Sequence, residues 1–324
     1  MRAIRCVEWG GPEKLRLEDI PAPKPGPGEV RLRVHAASVN FPDYLIIQRK
    51  YQIRPELPFT PGVEVAGVVL ETGAGVSRIR RGERVAAHIG TGGFAEEAIA
   101  PEAACFALPD TIEDQVAASF LLTYGTTWHA LADRAALTPG ERLLVLGAAG
   151  GVGLAACDIG RHLGAQVIAA ASSPEKLAIC RAQGARETID YSREDLRAGI
   201  TRATGGAGPD VIYDPVGGDF AEPAFRSIAW RGRYLVIGFA GGAIPALPLN
   251  LPLLKGASVV GVFWGDHVRR EPERHRADTQ SLLAAIASGA LKPLVSHRYT
   301  LAETPQALFD MAARKVLGKI VIVP

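Results

Sequence analysis

Residues 144–156 read LVLGAAGGVGLAA, an apolar run that stops at glycines and alanines and opens directly into an alanine-rich stretch of helical period. An apolar strand that turns this tightly into a helix is the core of a βαβ unit, in which first-turn amides and the helix dipole face an anion. The rhythm continues beyond it. Strands are expected at 142–146, 166–171, near Thr188, 210–213 and 233–237, with helices at 151–163, 174–183 and from Glu194. Strands and helices in alternation fold as a parallel sheet with right-handed crossovers, the doubly wound α/β arrangement.

The glycines leave three frames for a dinucleotide fingerprint: Gly147, Gly150 and Gly153; Ala148, Gly150 and Gly153; or Gly151, Gly153 and Ala156. The second is favoured. Gly150 lets phosphates approach the backbone, Gly153 lets the helix pack on the strand, and Ala148 serves at the first position if its φ stays negative. Gly151 and Val152 complete the first turn. A tight turn with no ligand is the bland alternative, and the alternating pattern around it speaks against that.

The nucleotide is decided about twenty residues further on, where an aspartate or glutamate would accept hydrogen bonds from the ribose of NAD. Here the strand VIAAA ends in Ser172-Ser173, with Lys176 one turn into the next helix. An acid would repel a 2′-phosphate, whereas serine and lysine can donate to one, so the cofactor read from this stretch is NADPH. Ser173, Pro174 and Glu175 also make a good helix start, and the two readings are compatible.

The first third has a different period. In residues 29–36, EVRLRVHA, apolar Val30, Leu32 and Val34 alternate with polar residues, as in a half-buried strand. The run PAPKPGPG at 21–28 reads as a loop, and 62–73 and 80–89 read as further strands. TIED at 111–114 matches a capping box ahead of a helix over 115–128. The tail, with helices near 281–288 and 305–313 and the terminal strand KIVIV, breaks the α/β rhythm and is assigned back to the first domain.

Composition removes other classes. The chain has 324 residues, 48% of them hydrophobic, enough for about two domains with cores of their own. Its 36 basic and 34 acidic side chains leave a formal charge of +2, no field for nucleic acid or an anionic membrane. Cys6, Cys105, Cys157 and Cys180 form no CxxC pair, which fits a reducing cytoplasm better than a disulfide framework or a zinc knuckle. The N-terminal MRAIRCVEWGG lacks a signal-peptide apolar run, and a soluble protein is expected.

Together, AAGGVG, NFPDYLIIQRKY (40–51), PFTPGVEVAG (58–67) and the terminal GKIVIV resemble the medium-chain dehydrogenase/reductase superfamily, and within it the zinc-free quinone oxidoreductase branch related to zeta-crystallin. The resemblance covers essentially the whole chain, in order. It implies a GroES-like, β-rich catalytic domain of residues 1–121, completed by 263–324, and a Rossmann domain of residues 122–262. It also implies a cofactor cleft between the domains and a homodimer formed through the Rossmann edge strand, here 258–262.

Alcohol dehydrogenases take catalytic zinc from a cysteine and from the histidine of a GHE motif. This chain has Asn40 near the first position and reads Gly62-Val63-Glu64 at the second, so no metal ligand is expected there. Without a Lewis acid, the favoured acceptors are electron-poor already: quinones or conjugated carbonyls, with 2-enoyl thioesters as the alternative substrate and an NADPH-binding structural or sensing role as a third reading.

The resemblance further places Lys176, Tyr191 and Arg314 at the 2′-phosphate. It sets Gly238, Phe239 and Phe263 on the nicotinamide side and turns Thr127 toward the cofactor. Asn40, Asp43 and Tyr51 line the substrate pocket. Read from the residues alone, Asp43 fits an Asx-type turn after Pro42 equally well, and Thr127 fits back-bonding within its helix. Tyr51 or water is the expected proton donor.

Overall fold

The computed structural model describes residues 1–324. The chain folds as two units, one of Met1–Leu122 with Pro293–Pro324 and one of Thr123–Lys292.

The second unit is built on six parallel strands: β1 Arg142–Val145, β2 Gln166–Ala171, β3 Glu187–Asp190, β4 Val211–Asp214, β5 Arg233–Val236 and β6 Ser258–Gly261. They lie in the order β3-β2-β1-β4-β5-β6, the Rossmann arrangement, with the order reversing between β1 and β4. The inner strands are continuous apolar runs because helices cover both faces of such a sheet. Leu143, Leu144, Val145, Val167, Ala169 and Ala170 are all fully buried. The helix Gly151–His162 presses Gly160 onto β1 so closely that an added Cβ would lie 2.6 Å from Leu143 Cδ2.

The helices Trp264–Arg270 and Pro272–Ala287 also belong to this unit, so the chain returns to the first unit at Pro293 rather than at 263. Side-chain packing decides this. The Trp264 indole fills the space beside Gly125, the His267 ring stacks on His129, and Arg274 pairs with Asp133 at 2.7 Å. None of these partners is near in sequence, so the tail's local period gave no sign of them.

In the first unit the long strand Glu29–Val39 pairs antiparallel with Glu64–Thr72, with Glu97–Pro101 and with the terminal Lys319–Val323, which in turn pairs with Val295–Thr300. Arg84–His88 and Cys105–Ala107 extend the sheet beyond Glu64–Thr72. Val30, Leu32 and Val34 are buried, as their alternation requires. The helix expected over 115–128 runs over Asp114–Trp128, with the Ala117 N–H bonded to Glu113 O at its start, so Thr111 is not its cap. Tertiary pairing overrides the local signal there: the Asp114 carboxylate is bonded by the Arg84 guanidinium and the His35 ring, each at 2.7 Å. Beyond Trp128 the helix continues as a π-helical turn, His129–Arg134. No helix is long and apolar enough to cross a membrane.

Candidate functional site

In the nucleotide unit the chain leaves β1 through Gly147, whose φ of +57° places it in the left-handed region. A Cβ there would also meet Val216 Cγ2 at 2.7 Å, so the tight turn needs this glycine. Ala148, which does not take a positive φ, is buried and donates its N–H to Ala170 O. The left-handed turn thus falls at Gly147, and Ala148, whose φ is not positive as the favoured frame requires, anchors the turn to β2.

Gly150 caps the helix Gly151–His162 with no side-chain acceptor, which leaves the first-turn amides of Gly151, Val152 and Gly153 without partners in the helix. Gly150 is exposed, and an added Cβ would meet only Gly147 O, at 3.5 Å. At Gly153 the same atom would lie 2.5 Å from Gly147 O and 2.7 Å from Ala148, so this glycine is fixed by helix-to-loop packing.

Across the switch point, β4 ends in Asp214, a residue the sequence reading did not single out. Its buried carboxylate accepts N–H bonds from Val216 and Gly217 at 2.8 and 2.9 Å and a very short bond from the Tyr234 hydroxyl. It thereby fixes the loop that touches Gly147. The motif Asp-Pro-Val-Gly-Gly after an apolar strand is a turn signal that could have found it. The segment after β5 lies on this loop, with Gly238 and Ala240 N–H groups bonded to Asp214 O and Pro215 O. Phe239 there, and Phe263 after β6, both present exposed rings.

Ser172 and Lys176 meet at the C-terminal end of β2, and Tyr191 follows the neighbouring strand β3. The strands are parallel, with Asp190 opposite Ala171, and the Tyr191 N–H bonds Ala171 O at 3.2 Å. Lys176 Nζ donates to Ser172 Oγ at 3.1 Å, while Ser173 Oγ caps the helix by accepting the Lys176 N–H at 3.4 Å. The cap uses Ser173 Oγ and the Lys176 N–H, and the Lys176 side chain is held separately, by Ser172. The Tyr191 ring packs on Phe220 at 4.6 Å between centroids.

Thr127 lies inside the nucleotide unit. It is 0% exposed, and its hydroxyl is bonded to Tyr213 at 2.9 Å and Val152 O at 3.4 Å, tying its helix to β4 and to the glycine loop. The neighbouring Thr126 keeps some accessible surface. Arg314 lies in the first unit, exposed, just past the helix Thr304–Ala312, with a φ of +57°.

The first unit holds a buried polar cluster around Asn40. Its Oδ1 accepts from Lys319 Nζ at 2.5 Å, and its Nδ2 donates to Ser38 Oγ at 2.9 Å and Glu64 Oε2 at 3.2 Å. The Asn40 N–H bonds Asp43 Oδ2 at 2.8 Å, the carboxylate half of a capping box for the helix Phe41–Ile46. Glu64 also accepts from the Ser38 hydroxyl and the Leu122 N–H, and Lys319 Nζ donates to Val39 O. Asn40 and Asp43 are thus buried in the frame, without the accessible surface that substrate contact needs. Of the three expected pocket residues only Tyr51 keeps such surface. Glu64 and Lys319 were missed because no local pattern pairs a lost GHE motif with the last strand.

Two carboxylates share one ammonium here. Burial, before any other cause, lifts the Asp43 carboxyl to about 7, against its bond from Asn40 N–H and the Lys319 charge. Burial likewise raises Glu64, and it lowers Lys319 against the pull of Glu64 and Asp43. Burial and then the Asp43 charge raise Tyr51, so its hydroxyl stays protonated at neutral pH. A carboxyl whose folded pKa is raised stabilises the fold in acid, and that contribution is lost as pH rises through about 7. Urea unfolding should accordingly show stability falling by a few kcal/mol, on the order of the linkage effect of such a shift, between mildly acidic and mildly basic pH. Asp43→Asn should flatten that slope; an unchanged slope would assign it to another group.

Against known proteins, residues 26–110 match the alcohol dehydrogenase GroES-like domain and residues 151–287 match the family described as zinc-binding dehydrogenase. Quinone oxidoreductase-like protein 2 of Bos taurus is 39% identical over 99% of this chain and 92% of its own length. A quinone oxidoreductase of Pseudomonas aeruginosa is 36% identical over 100% of this chain and 99% of its own. The crystal structure of Escherichia coli quinone oxidoreductase complexed with NADPH superposes with a TM-score of 0.93 at 29% identity, each chain covered at 100%. The chain belongs to the quinone oxidoreductase branch of the medium-chain dehydrogenase/reductase superfamily.

Proposed function

We propose that this protein is an NADPH-dependent oxidoreductase that reduces a quinone or another conjugated carbonyl without zinc. The observation that carries the reading is the bond of Lys176 Nζ to Ser172 Oγ at the end of β2, the strand beside β1 and its glycine loop, where a 2′-phosphate finds donors and β2 itself is followed by serine rather than a carboxylate. The Escherichia coli relative, bound to NADPH, supports it. NADPH, when bound, supplies hydride from C4 of its nicotinamide.

The residues bind and orient. Amides of Gly151, Val152 and Gly153 hold the pyrophosphate, with Gly150 giving it room. Lys176 and Ser172 hold the 2′-phosphate, and the exposed rings of Phe239 and Phe263 offer flat apolar surface to the nicotinamide side. Tyr51, kept protonated, or water supplies the proton to the reduced acceptor. Positioning then accounts for most of the rate.

The residues present do not fit the catalytic zinc of the alcohol dehydrogenases. Val63 offers no donor, Asn40 already accepts from Lys319, and an ammonium 2.5 Å from Asn40 Oδ1 would repel a dication. The acceptor must therefore be electron-poor in itself.

The test is oxidation of NADPH and NADH over quinones, enals and enoyl thioesters, with and without a chelator. Chelator-insensitive, NADPH-linked quinone turnover is expected; faster crotonyl-thioester reduction would move the substrate to that class. Lys176→Glu should weaken NADPH about tenfold to a hundredfold, the worth of a charge-assisted hydrogen bond, and leave NADH nearly unchanged. Equal losses for both would remove the 2′-phosphate assignment.

The partner the fold suits is a second copy of the chain. β6 is an edge strand of the sheet, and Val259 on it is 49% exposed, beside the exposed Leu253 and Leu254 of the preceding helix Asn250–Lys255. Edge pairing would cover them. Sedimentation velocity should find a dimer that Val259→Asp dissociates; a wild-type monomer would end this assignment. The four cysteines are buried free thiols, which suits the cytoplasm.

A further inference from the structure

Away from these groups, ligand-bearing side chains gather at the π-helical turn of the nucleotide unit. His129 and Asp133 lie four residues apart on that turn, and His267 and Glu271 lie four apart on the helix Trp264–Arg270 and its cap. The two imidazoles stack with centroids 4.1 Å apart and planes inclined by 12°. They are 7% and 5% exposed, and the Nδ1 of each is buried without a hydrogen-bond partner. Asp133 Oδ2 sits 2.9 Å from His129 Nδ1 but out of line for a hydrogen bond. Glu271 Oε1 is 3.5 Å from His267 Nδ1. Buried polar atoms without a hydrogen bond are costly, and two of them on stacked rings beside two carboxylates call for a shared partner.

We propose that His129, Asp133 and His267 hold a divalent transition cation of the zinc class, with Glu271 as the fourth donor. One ligand atom from each of the first three already lies within 4.8 Å of the others. Tetrahedral coordination at about 2.0–2.2 Å brings such atoms to about 3.4 Å apart, so the groups must close by about an ångström or a little more. Lone pairs in parallel ring planes do not converge, and the closure therefore includes swinging one imidazole out of the stack. Two imidazoles and carboxylate oxygen are a donor set for zinc, nickel, cobalt or copper rather than for magnesium or calcium.

The surroundings support the ligands. Arg274 Nη2 holds Asp133 Oδ1 at 2.7 Å and leaves Oδ2 turned to the histidines, the outer contact that orients a ligating carboxylate. The ion pins the π-turn to the helix Trp264–Arg270. It takes no part in the hydride transfer proposed above, and that reading does not depend on it.

The experiment uses the full-length chain after treatment with a chelator. Zinc titrated in competition with a chromophoric chelator should bind with one site per chain at a Kd of about 1 μM or tighter, and cobalt should give the d–d absorption of a four-coordinate ion. His267→Gln and His129→Gln should each weaken zinc by about a hundredfold or more, while His297→Gln, an exposed histidine of the other unit, should not. Asp133→Asn repeats the test without disturbing the stack. Zinc should raise the Tm of the wild type and leave that of His267→Gln unmoved. Wild-type protein that binds no zinc tighter than about 1 mM, or a His267→Gln variant that binds as well as wild type, overturns the site. NADPH affinity, measured on the same samples, should be unchanged throughout, which separates failure of this site from failure of the cofactor assignment.

Discussion

Lys319→Met should destabilise the protein by about 3–5 kcal/mol at neutral pH, the usual effect of removing one partner from a buried ion cluster. Lys319 is 6% exposed, and its ammonium is the charge that opposes two buried carboxylates, Glu64 and Asp43. Without it, Asn40 Oδ1 and Val39 O lose their donor, and both acids must ionise unaided in the core or take up protons. The deficit should shrink in acid, where the carboxylates are neutral in the fold, and adding Glu64→Gln should recover part of it by removing the charge left exposed to the apolar surroundings. Urea unfolding at two pH values reads all three quantities. A loss below about 1 kcal/mol, the level of a surface ion pair, would mean that the cluster is solvated.

At the glycine loop, two single-methyl substitutions should separate ligand contact from packing. Gly150→Ala should leave stability within about 0.5 kcal/mol, because its φ of −77° suits alanine and the added Cβ has only Gly147 O at 3.5 Å. NADPH affinity should nevertheless fall by about a hundredfold, since that methyl stands where the backbone must approach the pyrophosphate. Gly153→Ala should impair both, because its Cβ meets backbone at 2.5–2.7 Å and the helix can make room only by moving its first turn. Overpacking of this kind destabilises by about 1–3 kcal/mol, and the displaced amides lose their aim at the phosphate. Isothermal titration with NADPH beside thermal unfolding measures the pair. Gly150→Ala binding as tightly as wild type would place the pyrophosphate elsewhere.

Much of the nucleotide unit was legible because its signals are local. The 3.6-residue and 2-residue periods, the glycines after an apolar strand, and serine where an acid would mark NAD all lie within about thirty residues of one another. Even there a distant side chain bears on the turn: Val216, brought up by β4, fills the space beside Gly147, which takes the left-handed conformation while Ala148 anchors the loop. Thr127 shows the limit from the other side. Its place on a helix suggested back-bonding within that helix, but its hydroxyl reaches Tyr213 on β4 and the Val152 carbonyl.

Sequence by itself determined the two kinds of unit, the parallel strands of the second and the glycine loop that opens its first helix, because each follows from propensity and periodicity within one stretch of chain. Tertiary structure alone decided which charges meet. Lys319 reaches Asn40 from 279 positions away through the antiparallel register of the last strand on Glu29–Val39, and His129 meets His267 through the packing of the tail on the π-turn. Register and packing are long-range choices made when strands and helices assemble, and no local pattern of residues encodes them.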